Sequence, residues 1–282
     1  MKAGIIGLGL IGGSMAIDLR KAGMVSHFVG MEHNEQHAKK ALELALVDEI
    51  SASFENKPLD FIIVSIPVNV IEKLLPALLS HIHPDTAVID IGSTKGKICK
   101  AVGEHPNRAG YVAAHPIAGT ENSGPEAAFS GLFQGKTNII CERDKSSKQA
   151  LEKAEKIFHA LGMNTIFMEA EEHDKHAAYV SHLSHVSSFM LGLTVLDIEK
   201  DEKNIFQLAG SGFASTVRLS KSSPDMWTPI FEQNAAYLSQ ALQEYIMHLQ
   251  RFQYLLSKKD YAAVNNLLVN ANEIKRVLKD KK

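Results

Sequence analysis

Cysteine is scarce in this 282-residue sequence. There are two, Cys99 and Cys141, far apart and outside any CxxC or other metal-binding spacing. Two cysteines cannot build a disulfide framework, and the usage fits reduced thiols in a cytoplasmic protein. A charge excess of either sign is also missing: 30 Lys and Arg stand against 32 Asp and Glu, a formal net charge of −2. No global basic field therefore draws the chain to nucleic acid or to an anionic membrane. The one dense charge run, residues 279–282 with three lysines, reads as a solvated tail. No apolar run approaches the roughly 20 residues that span a bilayer. Internal repeats, low-complexity tracts and flexible linkers are absent as well.

What is there is the composition of a chain that can bury a core, 45% apolar and 22% charged, long enough for one large domain or two ordinary ones. In the first half, short apolar runs at 2–6, 27–31, 61–66, 87–91, 111–114, 138–141 and 165–167 read as strands. Helix-length stretches at 12–22, 35–46 and 68–79 lie between several of them. Strands alternating with helices imply βαβ units, and apolar runs without polar alternation imply strands covered on both faces. The expected fold is a doubly wound, mostly parallel α/β sheet. From about Glu171 the pattern turns helical, so the acidic stretch AEEHD marks the expected boundary: residues 1–170 for the sheet domain, 171–282 for an all-α domain. Phe231, Ala235, Leu238, Leu242, Tyr245, Leu249, Phe252 and Leu256 recur at alternating steps of four and three. That heptad seam predicts one long helix over 231–256 and a homodimer formed through the helical domain.

The opening MKAGIIGLGLIGGS superficially resembles a secretory apolar segment, yet it holds too many glycines and leads into a nucleotide motif, so no targeting signal is expected. Gly7, Gly9 and Gly12 form G-x-G-x-x-G, with Leu10 and Ile11 between the last two. The first glycine permits a tight turn, the second admits a pyrophosphate, and the third lets helix and strand pack closely. The helix N-terminus then offers free N–H groups to the phosphates. Glu32, 20 residues beyond Gly12 at the end of the second strand, can accept hydrogen bonds from ribose hydroxyls and would repel a 2′-phosphate. NAD is expected over NADP, with the neighbouring His33 able to soften that repulsion. Ligands of open α/β sheets sit outside the carboxyl ends of strands, so Ser65 and Pro67, and the loop Gly92–Gly96, are expected along the cofactor cleft.

His115 follows the fifth apolar run, in HPIAGTE, at the same end of the sheet. An imidazole there can accept a proton from an alcohol as hydride leaves its carbon. GLGLIGGS, DIGSTKGK (90–97), HPIAGTE (115–121), SHLSH (181–185) and GSGFASTVRLSKSSPDMW (210–227) occur in one order. This set resembles the prephenate dehydrogenase family, which includes arogenate and cyclohexadienyl dehydrogenases, and the resemblance spans about residues 2–250. It implies a Rossmann domain followed by a helical dimerisation domain. It also implies NAD-dependent oxidative decarboxylation of prephenate to 4-hydroxyphenylpyruvate in tyrosine biosynthesis, or of arogenate to tyrosine.

By the same resemblance His115 is the catalytic histidine that bonds the ring hydroxyl, and Ser93 helps to position it. Arg218 holds a substrate carboxylate, His185 is a second active-site histidine with His182 one turn before it, and Thr120 and Glu121 border the substrate entrance. Prephenate is a dianion, and the planar fork of Arg218 suits a carboxylate. The i, i+3 spacing of His182 and His185 also hints at a metal, but no third ligand stands at a suitable spacing and none is expected. Ala214 and Ser215 depart from relatives that carry a lysine and an aspartate there, which removes a cation near the site. The sequence ends soon after the heptad stretch, so no C-terminal ACT domain is expected.

Two other functions share parts of the pattern. A β-hydroxyacid dehydrogenase would use a lysine in the first helix of its second domain, where this chain has His182 and His185 and only Lys175 near the start. A non-catalytic NAD-binding regulator would have no use for the intact His, Ser and Arg set.

Overall fold

The computed structural model describes every residue except 56, 201–203 and 279–282, so the lysine-rich run 279–282 lies outside the described residues. Eight strands form one sheet: β1 (Lys2–Ile6), β2 (His27–Met31), β3 (Glu49–Ile50), β4 (Phe61–Val64), β5 (Ala87–Asp90), β6 (Tyr111–Pro116), β7 (Thr137–Cys141) and β8 (Asn164–Met168). Their order is β3-β2-β1-β4-β5-β6-β7-β8. All neighbours are parallel except β6 and β7, where His115 lies opposite Ile139 in an antiparallel ladder.

Alternation along the strands divides the core into two. Ile5, Ile63 and Ile89 face one cluster with Met15, Leu19, Ile157 and Phe158. Ile6, Ile62, Val64 and Val88 face the other with Ile71, Leu75, Ile98 and Cys99. The helices that supply these partners are α1 (Leu10–Lys21) and α5 (Lys148–Ala160) on the first face. On the second they are α3 (Val68–His81) and α4 (Gly96–Ala101), while α2 (Glu35–Glu43) follows β2. Burial on both faces is why the strands lack polar alternation. The two-residue β3 is too short to carry any periodicity in the sequence.

The helical part begins with α6 (Ala170–Ala177), a π-helical turn at Ala178–His182 and α7 (Leu183–Glu199). Then come α8 (Ser211–Thr216), α9 (Pro224–Gln233), α10 (Ala235–Ser257), α11 (Tyr261–Ala271) and α12 (Ile274–Leu278). Here one expectation is corrected. The heptad stretch 231–256 is not one helix: it breaks at Asn234, between α9 and α10. Asn234 is buried, and its Nδ2 donates to the Asp174 carbonyl at 2.7 Å and lies 3.1 Å from His182 Nδ1. These side-chain bonds hold Asn234 at φ −109°, ψ 23°, outside the helix. The chain forms two compact units, Met1–Ala235 and Ala236–Lys282. Among the described residues no helix is long and apolar enough to cross a membrane.

The turn from β1 into α1 is shaped by its glycines. Gly7 has φ +90°, and a Cβ there would stand 2.3 Å from the Ser65 carbonyl oxygen. A Cβ on Gly12 would stand 2.3 Å from the Gly7 carbonyl oxygen and 2.9 Å from Ser65 Oγ. Gly9 differs, because its nearest neighbour would be Gly124 N at 3.9 Å, so the protein's own packing does not demand a glycine there. Gly12→Ala should therefore lower the thermal midpoint by several degrees, since backbone must move, whereas Gly9→Ala should leave it within about a degree. Parallel thermal scans of the two variants check this contrast.

Candidate active site

At the carboxyl ends of the strands a cleft of about 560 Å³ opens, within the first compact unit. That size falls in the range of small-molecule sites. Gly9, Leu10 and Ile11 form one wall, and Ser65, Pro67 and Ser93 continue it from the loops after β4 and β5. The connection after β6 contributes Ile117 to Gly124, including Thr120 and Glu121, and the helical part adds His185, Arg218 and Trp227. Segments more than 200 residues apart thus share one cavity.

Gly7, Gly12 and Glu32 are not among the lining residues. The two glycines shape the loop from behind. The Glu32 carboxylate, 7% exposed, accepts from Leu8 N at 3.0 Å and Asn34 N at 3.1 Å, and His33 Nδ1 lies 3.1 Å away. It pins the glycine turn to the end of β2. Gly9 caps α1 without any side-chain hydrogen bond. The first-turn N–H groups are thus left for a ligand. Because a Cβ on Gly9 would project into the cleft, this cradle fits a pyrophosphate.

His115 is half-buried on β6 and does not line the cleft itself; the segment it leads into does. Its Nδ1 lies 2.7 Å from His173 Nε2, and His173 Nδ1 lies 2.8 Å from Asp174 Oδ1. Asp174 also accepts from Lys95 N at 2.7 Å and Gly96 N at 2.8 Å. Burial pushes its carboxyl up, but the bonds from His173 and the two amides outweigh that and hold it below the ordinary carboxylate value. Beneath lies a second buried set. Lys95 is fully buried, pairs with Asp90 and donates to the Ala114 carbonyl at 2.8 Å; Tyr111 OH donates to Asp90 Oδ2 at 2.5 Å.

Several expected roles look different in this setting. Ser93 lines the cleft, but among the described residues its hydroxyl makes no hydrogen bond to His115, whose partner is His173. His182 is corrected as a substrate contact. It is 1% exposed and does not line the cleft: its ring packs edge-on at 5.9 Å against Trp227, the same ring on which His185 stacks, and its Nδ1 lies 3.1 Å from Asn234 Nδ2. Burial lowers its pKa to about 4. His185 does line the cleft, stacked on the Trp227 ring at 3.5 Å, with Nδ1 donating to the Ser181 carbonyl at 3.0 Å. Arg218 is half exposed, and its Nη1 lies 3.4 Å from Glu121 Oε2, an ion pair at the mouth. His173 and Asp174 carry no role in the sequence reading, Lys95 enters it only within the loop Gly92–Gly96, of which Gly92 and Ser93 alone line the cleft, and Trp227 enters only within the motif at 210–227. The pair His173-Asp174 sits in AEEHD, where the only visible signal is acidity.

The sequence profile of the prephenate dehydrogenase nucleotide-binding domain matches residues 15–167, and that of the prephenate dehydrogenase dimerization domain matches residues 169–270. Prephenate dehydrogenase of Aquifex aeolicus, solved with hydroxyphenyl propionate and NAD+, superposes with a TM-score of 0.88 at 30% identity. The match covers 99% of this chain and 98% of that one. Synechocystis arogenate dehydrogenase gives 0.78 at 29% identity, over 98% of this chain and 99% of that one. Prephenate dehydrogenase of Bacillus subtilis strain 168 is 29% identical over 260 residues, 91% of this chain and 70% of the relative. With two profiles that together span most of its length and a fold shared from end to end, the chain belongs to the prephenate dehydrogenase family.

Proposed function

We propose that this chain is an NAD-dependent prephenate dehydrogenase, which oxidises and decarboxylates prephenate to 4-hydroxyphenylpyruvate on the route to tyrosine. The observation that carries the reading is one cleft that joins the dinucleotide loop Gly9–Ile11 to Ser93 and Arg218, walled by the continuation of the strand that bears His115. Bound NAD+ supplies the acceptor for the hydride that leaves the ring carbon bearing the hydroxyl. The fixed carboxylate of Glu32 favours it over NADP, and the glycines Gly7 and Gly12 hold the loop that carries it.

His115 serves as base toward the hydroxyl. Burial, then the charges of His173, Lys95 and His182, hold its imidazolium form well below the ordinary histidine value. A group so depressed is unprotonated at neutral pH, and its competence is lost only as pH falls through that low value. Ser93 aligns the hydroxyl. Arg218 exchanges Glu121 for a substrate carboxylate, with Thr120 beside it at the entrance. His185 offers its remaining ring nitrogen to the substrate, since Nδ1 is taken by Ser181. As the ring carbon is oxidised, the developing dienone draws electrons from the bond to the ring carboxylate, and CO2 leaves.

The likeness to an arogenate dehydrogenase supports arogenate as a second substrate to assay. The same reading divides the chain near residue 170, where the two family profiles meet. It assigns residues 171–282 to substrate binding and to a homodimer in the cytoplasm. Support for the dimer comes from the match to a dimerization domain and from exposed Leu249, Leu256, Tyr261, Leu268 and Val269 in the second compact unit. The two buried free thiols fit a reducing compartment.

Mixing the protein with prephenate and NAD+ should raise NADH absorbance, with NADP+ far poorer; no turnover of prephenate or arogenate refutes the reading. His115→Asn should lower kcat by about 10²–10⁴ with little change in NAD+ affinity, as expected for a lost base. Arg218→Ala should raise KM for prephenate about tenfold, the lower end for a charge-assisted contact because the group is half exposed, and leave kcat within about twofold. Light scattering at micromolar concentration should return twice the mass of one chain, and a monomer would remove the dimer.

A further inference from the structure

We infer that His115, His173 and Asp174 form a closed proton store, in which His173 holds the hydroxyl proton during the reaction and hands it back to the product. The inference rests on the dehydrogenase reading, and one arm of its test does not.

Hydrogen-bond logic assigns the tautomers. Asp174 Oδ1 accepts from Lys95 N and Oδ2 from Gly96 N, so the group is a carboxylate. Its third contact, His173 Nδ1 at 2.8 Å, must then be an N–H donor. A neutral His173 keeps its lone pair on Nε2, which lies 2.7 Å from His115 Nδ1. Two lone pairs cannot face each other at that distance, so His115 Nδ1 carries hydrogen. The lone pair of His115 is therefore on Nε2, at the far side of its ring.

The charges around the two rings differ. His115 follows Ala114, whose carbonyl holds the buried Lys95 ammonium. The carboxylate of Asp90 is already taken by Lys95 and Tyr111. A positive charge left on His115 faces one fixed cation with no carboxylate of its own. A positive charge on His173 lies against Asp174. The balanced step is as follows. The hydroxyl proton moves to His115 Nε2 while the proton on His115 Nδ1 moves to His173 Nε2, and the electron pair of the C–H bond departs as hydride as proposed above. His115 ends neutral in its other tautomer, His173 becomes an imidazolium, and Asp174 stays a carboxylate. When CO2 leaves, the ring oxygen gains the electrons of a phenolate, and the two protons run back along the same bonds. Substrate and product both carry a hydroxyl at that carbon, so the net reaction releases no proton. A buried store with no link to solvent is sufficient.

The test separates the store from plain positioning. In His173→Gln the amide oxygen can still accept from His115 Nδ1 and hold the tautomer, but it cannot bind a proton. Its kcat should fall about tenfold to a hundredfold with KM for prephenate within twofold. His173→Ala should fall at least as far and recover in part with added imidazole. Turnover in H2O–D2O mixtures should bow for the wild type, with two protons in flight, and run linear for His173→Gln. Wild-type kcat in His173→Gln, or a linear wild-type inventory, overturns the inference. Nitrogen NMR of histidine-labelled wild-type protein needs no activity: it should find His115 protonated on Nδ1, and protonation on Nε2 overturns the store. Absence of any turnover alongside the expected NMR tautomer would defeat the dehydrogenase reading alone.

Discussion

The Asp174 carboxylate ties together the pieces that chemistry in this fold needs. It lies on α6, accepts two amides from the loop that follows β5, orients His173 and through it His115, while its own carbonyl receives Asn234 at the break between α9 and α10. One residue thereby couples the carboxyl ends of β5 and β6, the first helix after the sheet and the end of α9. A carboxylate can be buried this deeply only because it is saturated with donors; bare, it would be driven to its neutral form. The protonation of the site and the packing of the helical part on the sheet are the same fact.

Below it, the Lys95–Asp90 pair makes a different point about energy. Both side chains are fully buried. Bringing two ions out of water costs several kcal/mol for each, which their attraction at best offsets. Such a pair is poor support for stability. Its consequence is geometric and electrostatic: Lys95 fixes the Ala114 carbonyl directly before His115, and Asp90 also receives Tyr111 and Gly92 N. The end of β6 is held by polar bonds at a point where an apolar core would allow it to shift. The cost falls where alignment matters most.

The cleft is built from parts with unequal sequence signals. The glycine turn, Ser65, Pro67 and Ser93 follow strand ends and His115 stands one residue before the end of β6; these places are legible because apolar runs stop there. For Arg218 and His185 the sequence carries only the family resemblance, since no periodicity singles out a site residue in a helical segment. His182 shows the limit of spacing arguments. Three residues before His185 implies one helical face, and both rings do lie against Trp227, yet His185 lines the cleft while His182 is buried beside Asn234. Asn234 shows the same limit at longer range. The heptad pattern runs straight through it, and the helix is interrupted where Asn234 bonds residues 174 and 182.

The amino-acid sequence by itself determined the alternation of strands and helices, the dinucleotide loop, the acidic end of β2 and the position of His115, because each depends on neighbours within about 30 residues. Tertiary structure alone decided that His173 and Asp174 stand behind His115, that Lys95 lies buried beside Asp90, and that Glu121 meets Arg218 across 97 residues of chain. Those contacts join segments whose closeness follows from sheet order and helix docking. Nothing in local composition records which distant side chain a buried imidazole will face.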